Sequence, residues 1–333
     1  MSSSVPLRRV GTSGLLVSAV GLGCNNFGRP GTKTETIEGT RAVIDAAVDA
    51  GVTFLDTADM YGGEPGLSES LMSEALRGRR DEVIIATKFG HFGRDMGYPP
   101  AGAKASRSYI RRAVEGSLSR LQTDHIDLYQ LHTPDPHTPI EETLDVLTDL
   151  VREGKVRYLG HSNLAGWQIA EADFIAATSH RVPFVSAQNH YSLLARAAER
   201  EVLPAVRRFG LGFLPYFPLH NGLLTGKFTR SHAPEDTRIS RQRSRWPTRR
   251  ATSPTRCSKA SATRSTAPTR PTPSARWSPI PISPRKRVNA TALNRPSSST
   301  SSEPSESPRL RFALRSISAS FSVPTGDRDL ECS

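Results

Sequence analysis

Residues 51–62 read Gly51-Val-Thr-Phe-Leu-Asp56-Thr-Ala-Asp-Met-Tyr61-Gly62. The run that ends at Asp56 is short and β-rich, and a helix-period pattern over residues 34–50 precedes it, with a glycine as the stop signal. The stretch therefore predicts a helix, a buried strand and a polar loop at the carboxyl end of that strand. Tyr61 lies on this loop, five residues after Asp56.

The same alternation of strand and helix continues along the chain. Further strands are predicted at Gly21–Gly23 and at residues 83–88, 126–132, 156–160, 184–189 and 212–216. Helices of this length between strands predict parallel pairing through crossovers, and we count seven strands of a (β/α)8 TIM-type barrel by Tyr216. A hairpin over residues 7–18 is expected to cap one barrel end, and a capping box at Thr138-Pro139-Ile140-Glu141 to start a helix. A doubly wound sheet would alternate in the same way, but no G-x-G-x-x-G motif follows a strand.

The composition changes abruptly after residue 240. Residues 241–310 carry 13 Arg, 2 Lys, 2 Glu and no Asp, and the rest of the chain, with 29 basic and 30 acidic residues, is nearly neutral. The formal charge of +12 therefore belongs to one segment, in which Arg, Ser, Pro, Thr and Ala make up 55 of 70 residues. We expect a barrel over residues 1–240 and a disordered, basic, low-complexity tail over residues 241–333.

The cysteines and the hydropathy pattern exclude several classes of protein. Cys24, Cys257 and Cys332 are widely spaced and form no C-x-x-C pair, which argues against a disulfide framework and against a zinc site. The N-terminus lacks the apolar segment of a signal peptide, and no run of about 18 apolar residues occurs. We expect a cytoplasmic protein that binds no metal and no membrane.

Three ionisable residues end predicted strands: Asp56, Lys88 and His132. Catalytic groups of a parallel barrel lie at the carboxyl ends of its strands and on the loops that follow. Each residue has an ordinary interpretation by itself, the aspartate as a turn former, the lysine as a side chain reaching solvent and the histidine as a loop contact. Together with Tyr61 they place four complementary polar groups at one barrel end, which favours a catalytic site.

The chemistry of this set is coherent. A tyrosine with a pKa of about 10 is a poor acid at neutral pH until a nearby cation stabilises its phenolate. A partly buried lysine supplies that cation, an aspartate keeps the lysine charged and oriented, and a neutral histidine can hold a substrate oxygen. The set suits protonation of a carbonyl oxygen while a cofactor delivers hydride to the carbon.

Six motifs resemble those of the aldo-keto reductase family, in the family's order. They are Gly51–Gly62, Ile85-Ala-Thr-Lys88, Asp127-Leu-Tyr-Gln-Leu-His132, Gly154-Lys-Val-Arg-Tyr-Leu-Gly160-His-Ser162-Asn163, Gln188-Asn189-His-Tyr191 and Tyr216-Phe-Pro-Leu219-His-Asn-Gly222-Leu-Leu-Thr-Gly-Lys227. The resemblance implies a β/α barrel that reduces an aldehyde or ketone to an alcohol with NADPH, NADH not being excluded. It also implies that Tyr61 is the general acid, tuned by Lys88 and Asp56, and that His132 orients the carbonyl.

The resemblance further implies a set of cofactor contacts. These are Gly23, Cys24, Asn25, Asp56, Ser162, Asn163, Gln188, Tyr216, Leu219, Gly222 and Lys227. In the family, the serine, asparagine and glutamine of such a set hold the nicotinamide carboxamide, and the aromatic residue stacks on the nicotinamide ring.

The family pattern fails near residue 240, before an eighth strand and a final cofactor helix. Out-of-frame translation of GC-rich DNA yields an excess of Arg, Pro, Ser, Thr and Ala, so we predict that the tail arises from a frameshift. Seven strands leave two sheet edges unpaired. We therefore expect an incomplete barrel with poor solubility or weak NADPH binding.

Two other functions stay open. One is a catalytically impaired or redox-silent member of the same fold, which nothing in the four polar residues favours. The other is nucleic-acid binding by the basic tail, which lacks aromatic residues between its arginines apart from Trp246 and Trp277. The sequence predicts a small carbonyl compound as the partner, but it determines neither which compound nor the oligomeric state.

Overall fold

The computed structural model describes residues 5–98, residues 103–228 and Pro234. The tail predicted over residues 241–333 lies outside the described residues, and so does the segment in which the frameshift is predicted. Among the described residues, no helix combines the length and the apolar character needed to cross a membrane.

The chain enters the fold through a hairpin. Strand β1 (Leu7–Arg9) pairs antiparallel with β2 (Leu16–Ser18). Gly11 adopts a φ of +57° in the turn, and a side chain there would collide with the carbonyl of Gly210, which accepts the Thr12 N–H at 2.9 Å. Glycine therefore allows both the turn and its close approach to the chain before the last strand. The predicted hairpin is confirmed.

Within the described residues, seven parallel strands follow, each hydrogen-bonded to the next in the sequence. They are β3 (Gly21–Gly23), β4 (Phe54–Asp56), β5 (Ile84–Phe89), β6 (Ile126–Leu131), β7 (Val156–Ser162), β8 (Phe184–His190) and β9 (Gly212–Tyr216). The helices between them are α1 (Ile37–Asp49), α2 (Leu67–Ala75), α3 (Arg107–Leu121), α4 (Ile140–Arg152), α5 (Gly166–Thr178) and α6 (Val202–Phe209), and each contacts the next. The sheet curls as an incomplete (β/α)8 barrel, which confirms the predicted fold class.

Two apolar clusters of the described residues stabilise this arrangement. The larger lies between sheet and helices and includes Ile44, Ile110 and Leu147, all with no exposed surface. The smaller lies inside the curl, where Val10, Leu15 and Val17 of the hairpin segment pack on Phe54, Ala86 and Leu128 of the strands. The hairpin thus closes the amino-terminal end of the barrel and leaves the carboxyl end as the open end.

Helix α4 shows where a local prediction was wrong. Its first turn carries two glutamates and its last turn Arg152, as the helix dipole favours. However, the N-cap residue is Pro139, and no side chain caps the helix. The hydroxyl of Thr138 bonds Asp135 Oδ2 at 2.9 Å instead, so the expected capping box does not form. A nearer acceptor in the preceding loop competes successfully for the hydroxyl.

The sheet has two ends within the described residues. β3 pairs with β4 on one side and β9 pairs with β8, and no described strand joins β3 to β9. The residues of β9 are also more exposed than those of the central strands. This is the pattern expected of seven strands that do not close by themselves.

Candidate active site

Three strand ends and one loop bring the predicted proton-transfer residues together. β4 ends at Asp56, β5 carries Lys88 next to its last residue, and His132 directly follows β6. Tyr61 lies on the loop after β4. Because parallel neighbours end at the same edge of a sheet, all four side chains meet at the carboxyl end of the barrel.

Lys88 and Asp56 form an ion pair with an Nζ–Oδ2 distance of 2.7 Å. The lysine side chain is fully buried, whereas the aspartate keeps 19% of its surface exposed. Lys88 Nζ also donates to the Thr57 carbonyl at 2.8 Å. Burial lowers the pKa of Lys88, but the Asp56 carboxylate and the Tyr61 hydroxyl raise it by more, so the pKa lies above its ordinary value. Lys88 therefore remains a cation at neutral pH.

The second carboxylate oxygen of Asp56 accepts two amide donors. Gln130 Nε2 lies 3.1 Å from Oδ1, and Gln188 Nε2 lies 3.2 Å from the same atom. Sequence reasoning missed Gln130. The available signal was its position two residues before His132, where strand alternation turns a polar side chain to the same side as the histidine.

Tyr61 lies against both the cation and the histidine. Lys88 Nζ is 5.2 Å from the centroid of its ring, and the His132 ring meets it edge-on at a centroid distance of 5.8 Å. Burial raises the pKa of Tyr61, and the charge of Lys88 opposes that rise without cancelling it. The hydroxyl therefore stays protonated at neutral pH, which is the form that a proton donor needs.

His132 is neutral at the same pH. Its burial and the nearby charge of Lys88 hold the pKa of the imidazole well below its ordinary value. Nδ1 is buried and has no hydrogen-bond partner within the part of the chain that the structure describes. A neutral ring at this place can hydrogen-bond a substrate oxygen without competing with Tyr61 as the acid.

Arg94 holds the loop that carries Tyr61. Its Nη1 donates to the carbonyls of Met60 at 3.1 Å and Gly62 at 3.0 Å, and its Nη2 donates to that of Gly63. Sequence reasoning missed this residue. Every residue has a backbone carbonyl, so an arginine that binds carbonyls requires no particular type of partner residue. No sequence motif could therefore have predicted this contact.

The loop after β5 is fixed in a similar way. The buried Lys104 donates from Nζ to the carbonyls of His91 at 2.9 Å and Arg94 at 2.6 Å. The Gly93 N–H donates to Nδ1 of His91 at 2.9 Å. The His91 ring meets the His132 ring at a centroid distance of 4.6 Å. His91 is thus a second imidazole at the barrel mouth.

A group of hydroxyls and amides lies at the ends of β7, β8 and β9. Ser162 Oγ donates to the Gln188 carbonyl at 2.8 Å, and Asn163 Nδ2 donates to Ser162 Oγ at 2.9 Å and to the His132 carbonyl at 3.0 Å. The Tyr216 hydroxyl donates to Asn163 Oδ1 at 2.9 Å. Asn163 adopts a φ of +63°, a conformation that asparagine tolerates better than most residues.

A cavity of about 990 Å³ opens at this end and continues between β3 and β9 to the hairpin. Of the predicted site residues, it is lined by Gly23, Asn25, Asp56, Tyr61, His132, Ser162, Asn163, Gln188, Tyr216, Leu219 and Gly222. It is also lined by Asn26, Met60, His91 and Phe217, which were not among the predicted site residues. Three predicted residues do not line it: Lys88 lies buried behind Asp56, Cys24 belongs to the apolar core, and Lys227 is exposed on the last described loop.

Comparison with known proteins agrees with this geometry. The family model described as Aldo/keto reductase family matches residues 19–269, which is most of the chain. The chain belongs to the aldo/keto reductase family. The match continues past residue 240, whereas the last of the six motifs ends at Lys227. Members of this family are oxidoreductases that use NAD(P)H and act on carbonyl compounds.

Two curated relatives illustrate the similarity. The uncharacterized oxidoreductase YrpG of Bacillus subtilis (strain 168) is 44% identical over 231 residues, which cover 67% of this chain and 69% of that protein. The probable aldo-keto reductase 1 of Glycine max is 37% identical over 234 residues, which cover 69% of this chain and 64% of that protein. The chain thus spans about two thirds of the length of these relatives.

Proposed function

We propose that this protein reduces an aldehyde or a ketone to the alcohol with NADPH, and that Tyr61 is the general acid. The observation that supports this most is the fully buried Lys88, ion-paired to Asp56 at 2.7 Å and 5.2 Å from the ring of Tyr61. A buried cation at this distance stabilises the tyrosinate that remains once the proton has left. As the sequence led us to expect, we place the reaction in the cytoplasm.

The proton and electron balance is simple. The cofactor, when bound, supplies the hydride that adds to the carbonyl carbon. The Tyr61 hydroxyl gives its proton to the carbonyl oxygen, and Lys88 stabilises the phenolate that results. His132, neutral because its pKa is lowered by burial and by Lys88, holds the same oxygen by a hydrogen bond. Asp56 touches neither proton nor hydride in this scheme; it keeps the lysine charged and in place.

The donors and acceptors near Tyr216 suit a nicotinamide. Ser162, Asn163 and Gln188 offer a hydroxyl and two amides on one side of the cavity, a set that matches a carboxamide. The Gln188 amide oxygen has no partner among the described residues, so it is available as an acceptor. The orientation of the Tyr216 ring is fixed by stacking on the His190 ring at a centroid distance of 5.3 Å. We assign the nicotinamide end of the cofactor to these residues.

The test is the reduction of simple aldehydes and ketones by the purified chain. The reaction is monitored by the loss of NADPH absorbance, and NADH is tested in parallel. Tyr61→Phe removes the proton donor and is expected to lower kcat by about 10²–10⁴-fold while NADPH binding persists. Tyr191→Phe is the matched control, because its hydroxyl bonds Glu199 and the residue does not line the cavity. Equal turnover by Tyr61→Phe and the unchanged protein contradicts the proposal. Tight NADPH binding without any turnover supports the redox-silent alternative instead.

A further inference from the structure

His91 lines the cavity beside the residues proposed to bind the carbonyl group. Its ring centroid lies 4.6 Å from that of His132, at an interplanar angle of 66°. The proton transfer proposed above makes no use of this second imidazole. A polar ring so close to the group that holds the carbonyl oxygen is in reach of an atom on the neighbouring carbon of the substrate.

The backbone fixes which nitrogen of His91 carries the proton. The Gly93 N–H donates to Nδ1 at 2.9 Å, so Nδ1 must present its lone pair and the proton of the neutral ring resides on Nε2. Nε2 has no partner among the described residues. The tautomer of His91 is therefore fixed, and Nε2–H is its hydrogen-bond donor.

We propose that His91 Nε2–H binds a second substrate oxygen, on the carbon next to the carbonyl, so that the enzyme favours 2-hydroxy and 2-oxo carbonyl compounds over plain aldehydes and ketones. This inference rests on the proposed function. It follows from a fixed donor on a cavity wall, adjacent to the imidazole that holds the first oxygen.

The charges around the loop favour a neutral second oxygen over a carboxylate. Burial and the charge of Lys104 lower the pKa of His91, so the ring is uncharged at neutral pH. The two cations nearest in the loop, Arg94 and Lys104, direct their donors at backbone carbonyls. A substrate carboxylate would thus find no free cation on the described part of this loop, whereas a hydroxyl or carbonyl oxygen finds a matching donor.

A matched pair of ketones tests the inference. 3-Hydroxy-2-butanone and 3-methyl-2-butanone differ in a hydroxyl replaced by a methyl group of similar size. We expect the unchanged protein to prefer the hydroxyketone in kcat/KM, and His91→Phe to reduce that preference about tenfold, as loss of one hydrogen bond predicts. His91→Gln keeps an N–H donor and should retain part of the preference. His137→Phe, an exposed histidine outside the cavity, should retain all of it.

The outcomes separate this inference from the proposed function. An unchanged preference in His91→Phe, or no preference in the unchanged protein, overturns the role of His91 and leaves carbonyl reduction intact. Absence of turnover with both ketones and with simple aldehydes overturns both. Nitrogen-15 spectra of the histidines give a readout that needs no turnover: a proton on Nδ1 of His91, assigned by its absence in His91→Phe, overturns the inference, and a proton on Nε2 supports it.

Discussion

Lys88 and Asp56 form one ion pair, but the two partners are held very differently. Lys88 is fully buried, and besides Asp56 its ammonium group bonds the Thr57 carbonyl and the Tyr61 hydroxyl. Asp56 is partly exposed and accepts two further amide donors on its other oxygen. Removing Asp56 therefore leaves a buried charge, whereas removing Lys88 leaves a partly exposed charge that keeps two hydrogen-bond donors.

Asp56→Ala should destabilise the fold more than Lys88→Met. The first change leaves a fully buried ammonium group without its counter-ion, for which a cost of about 3–5 kcal/mol is typical. The second leaves a carboxylate that keeps two amide donors and some solvent, so its cost should be smaller. Urea unfolding of both variants measures the difference. An equal or larger loss in Lys88→Met contradicts this account of the pair, whatever the effect on activity.

His161 makes the fold sensitive to acid. The residue is fully buried on β7, neither ring nitrogen has a partner among the described residues, and burial lowers its pKa to about 3. The pKa of His161 in the folded protein lies below its value of about 6.5 in the unfolded chain. As the pH falls below about 6.5, the unfolded chain therefore binds a proton at His161 that the folded protein does not bind. Stability then decreases by about 1.4 kcal/mol per pH unit until the folded pKa is reached.

His161→Leu tests that statement. At pH 7 the variant should be as stable as the unchanged protein or more so, because two unsatisfied buried nitrogens are removed. Between pH 7 and pH 5 it should lose about 2 kcal/mol less than the unchanged protein does. Urea midpoints at both pH values supply the comparison, with the exposed His137→Leu as the control. The same acid sensitivity in His161→Leu would show that other groups cause it.

The strands, and the meeting of Asp56, Tyr61, Lys88 and His132 at one end of the barrel, could be predicted because both follow from local sequence patterns. Alternating apolar runs gave seven strands, and a charged residue at a strand end must point to the barrel mouth. Successive side chains of an extended segment point to opposite faces, and this explains why Cys24 does not line the cavity. Gly23 and Asn25 line the cavity, and the side chain of Cys24 between them points into the core.

Contacts between distant segments could not be predicted. Arg94 binds carbonyls more than 30 residues earlier in the chain, and Gln130 reaches Asp56 from another strand. Neither pairing follows from residue type or spacing, since a carbonyl accepts from any donor and glutamine is common on barrel strands. The predicted capping box at Thr138 was wrong for a local reason, because Asp135, three residues earlier, competes as an acceptor for the Thr138 hydroxyl.

Gly160 has no space for a side chain. It lies opposite Ser186 in the register of β7 and β8, and a methyl group there would collide with Ser186 Oγ and approach Cγ of Gln130 to 3.0 Å. Gly160→Ala should cost about 1–3 kcal/mol by overpacking. Ser186 Oγ is buried without a hydrogen-bond partner among the described residues, so Ser186→Ala should be nearly neutral and should restore most of the loss in the double variant. Additive effects in this cycle would contradict a direct collision.

Arg94 is a positioning residue for Tyr61. Arg94→Ala removes all three carbonyl contacts of the loop, so we expect kcat to fall about tenfold, because the loop carries the proposed acid, Tyr61. Hydrogen exchange at residues 60–63 should accelerate in parallel, which a global loss of stability would not confine to this loop. Arg41→Ala, an exposed arginine that donates to the Glu74 carbonyl at 3.4 Å, is the matched control. Unchanged hydrogen exchange at residues 60–63 in Arg94→Ala contradicts a positioning role for Arg94.

The change of composition after residue 240 can be tested at the level of the gene and of cofactor affinity. We propose that a single-base change near codons 235–245 restores a reading frame with an eighth strand. β3 and β9 have no common strand partner among the described residues, and a strand between them would pair both edges. The restored chain should therefore bind NADPH at least tenfold more tightly than this one and stay soluble at higher concentration, which NADPH fluorescence and sedimentation measure. Equal affinity in the two chains, or the absence of any base change that yields a strand, refutes the frameshift.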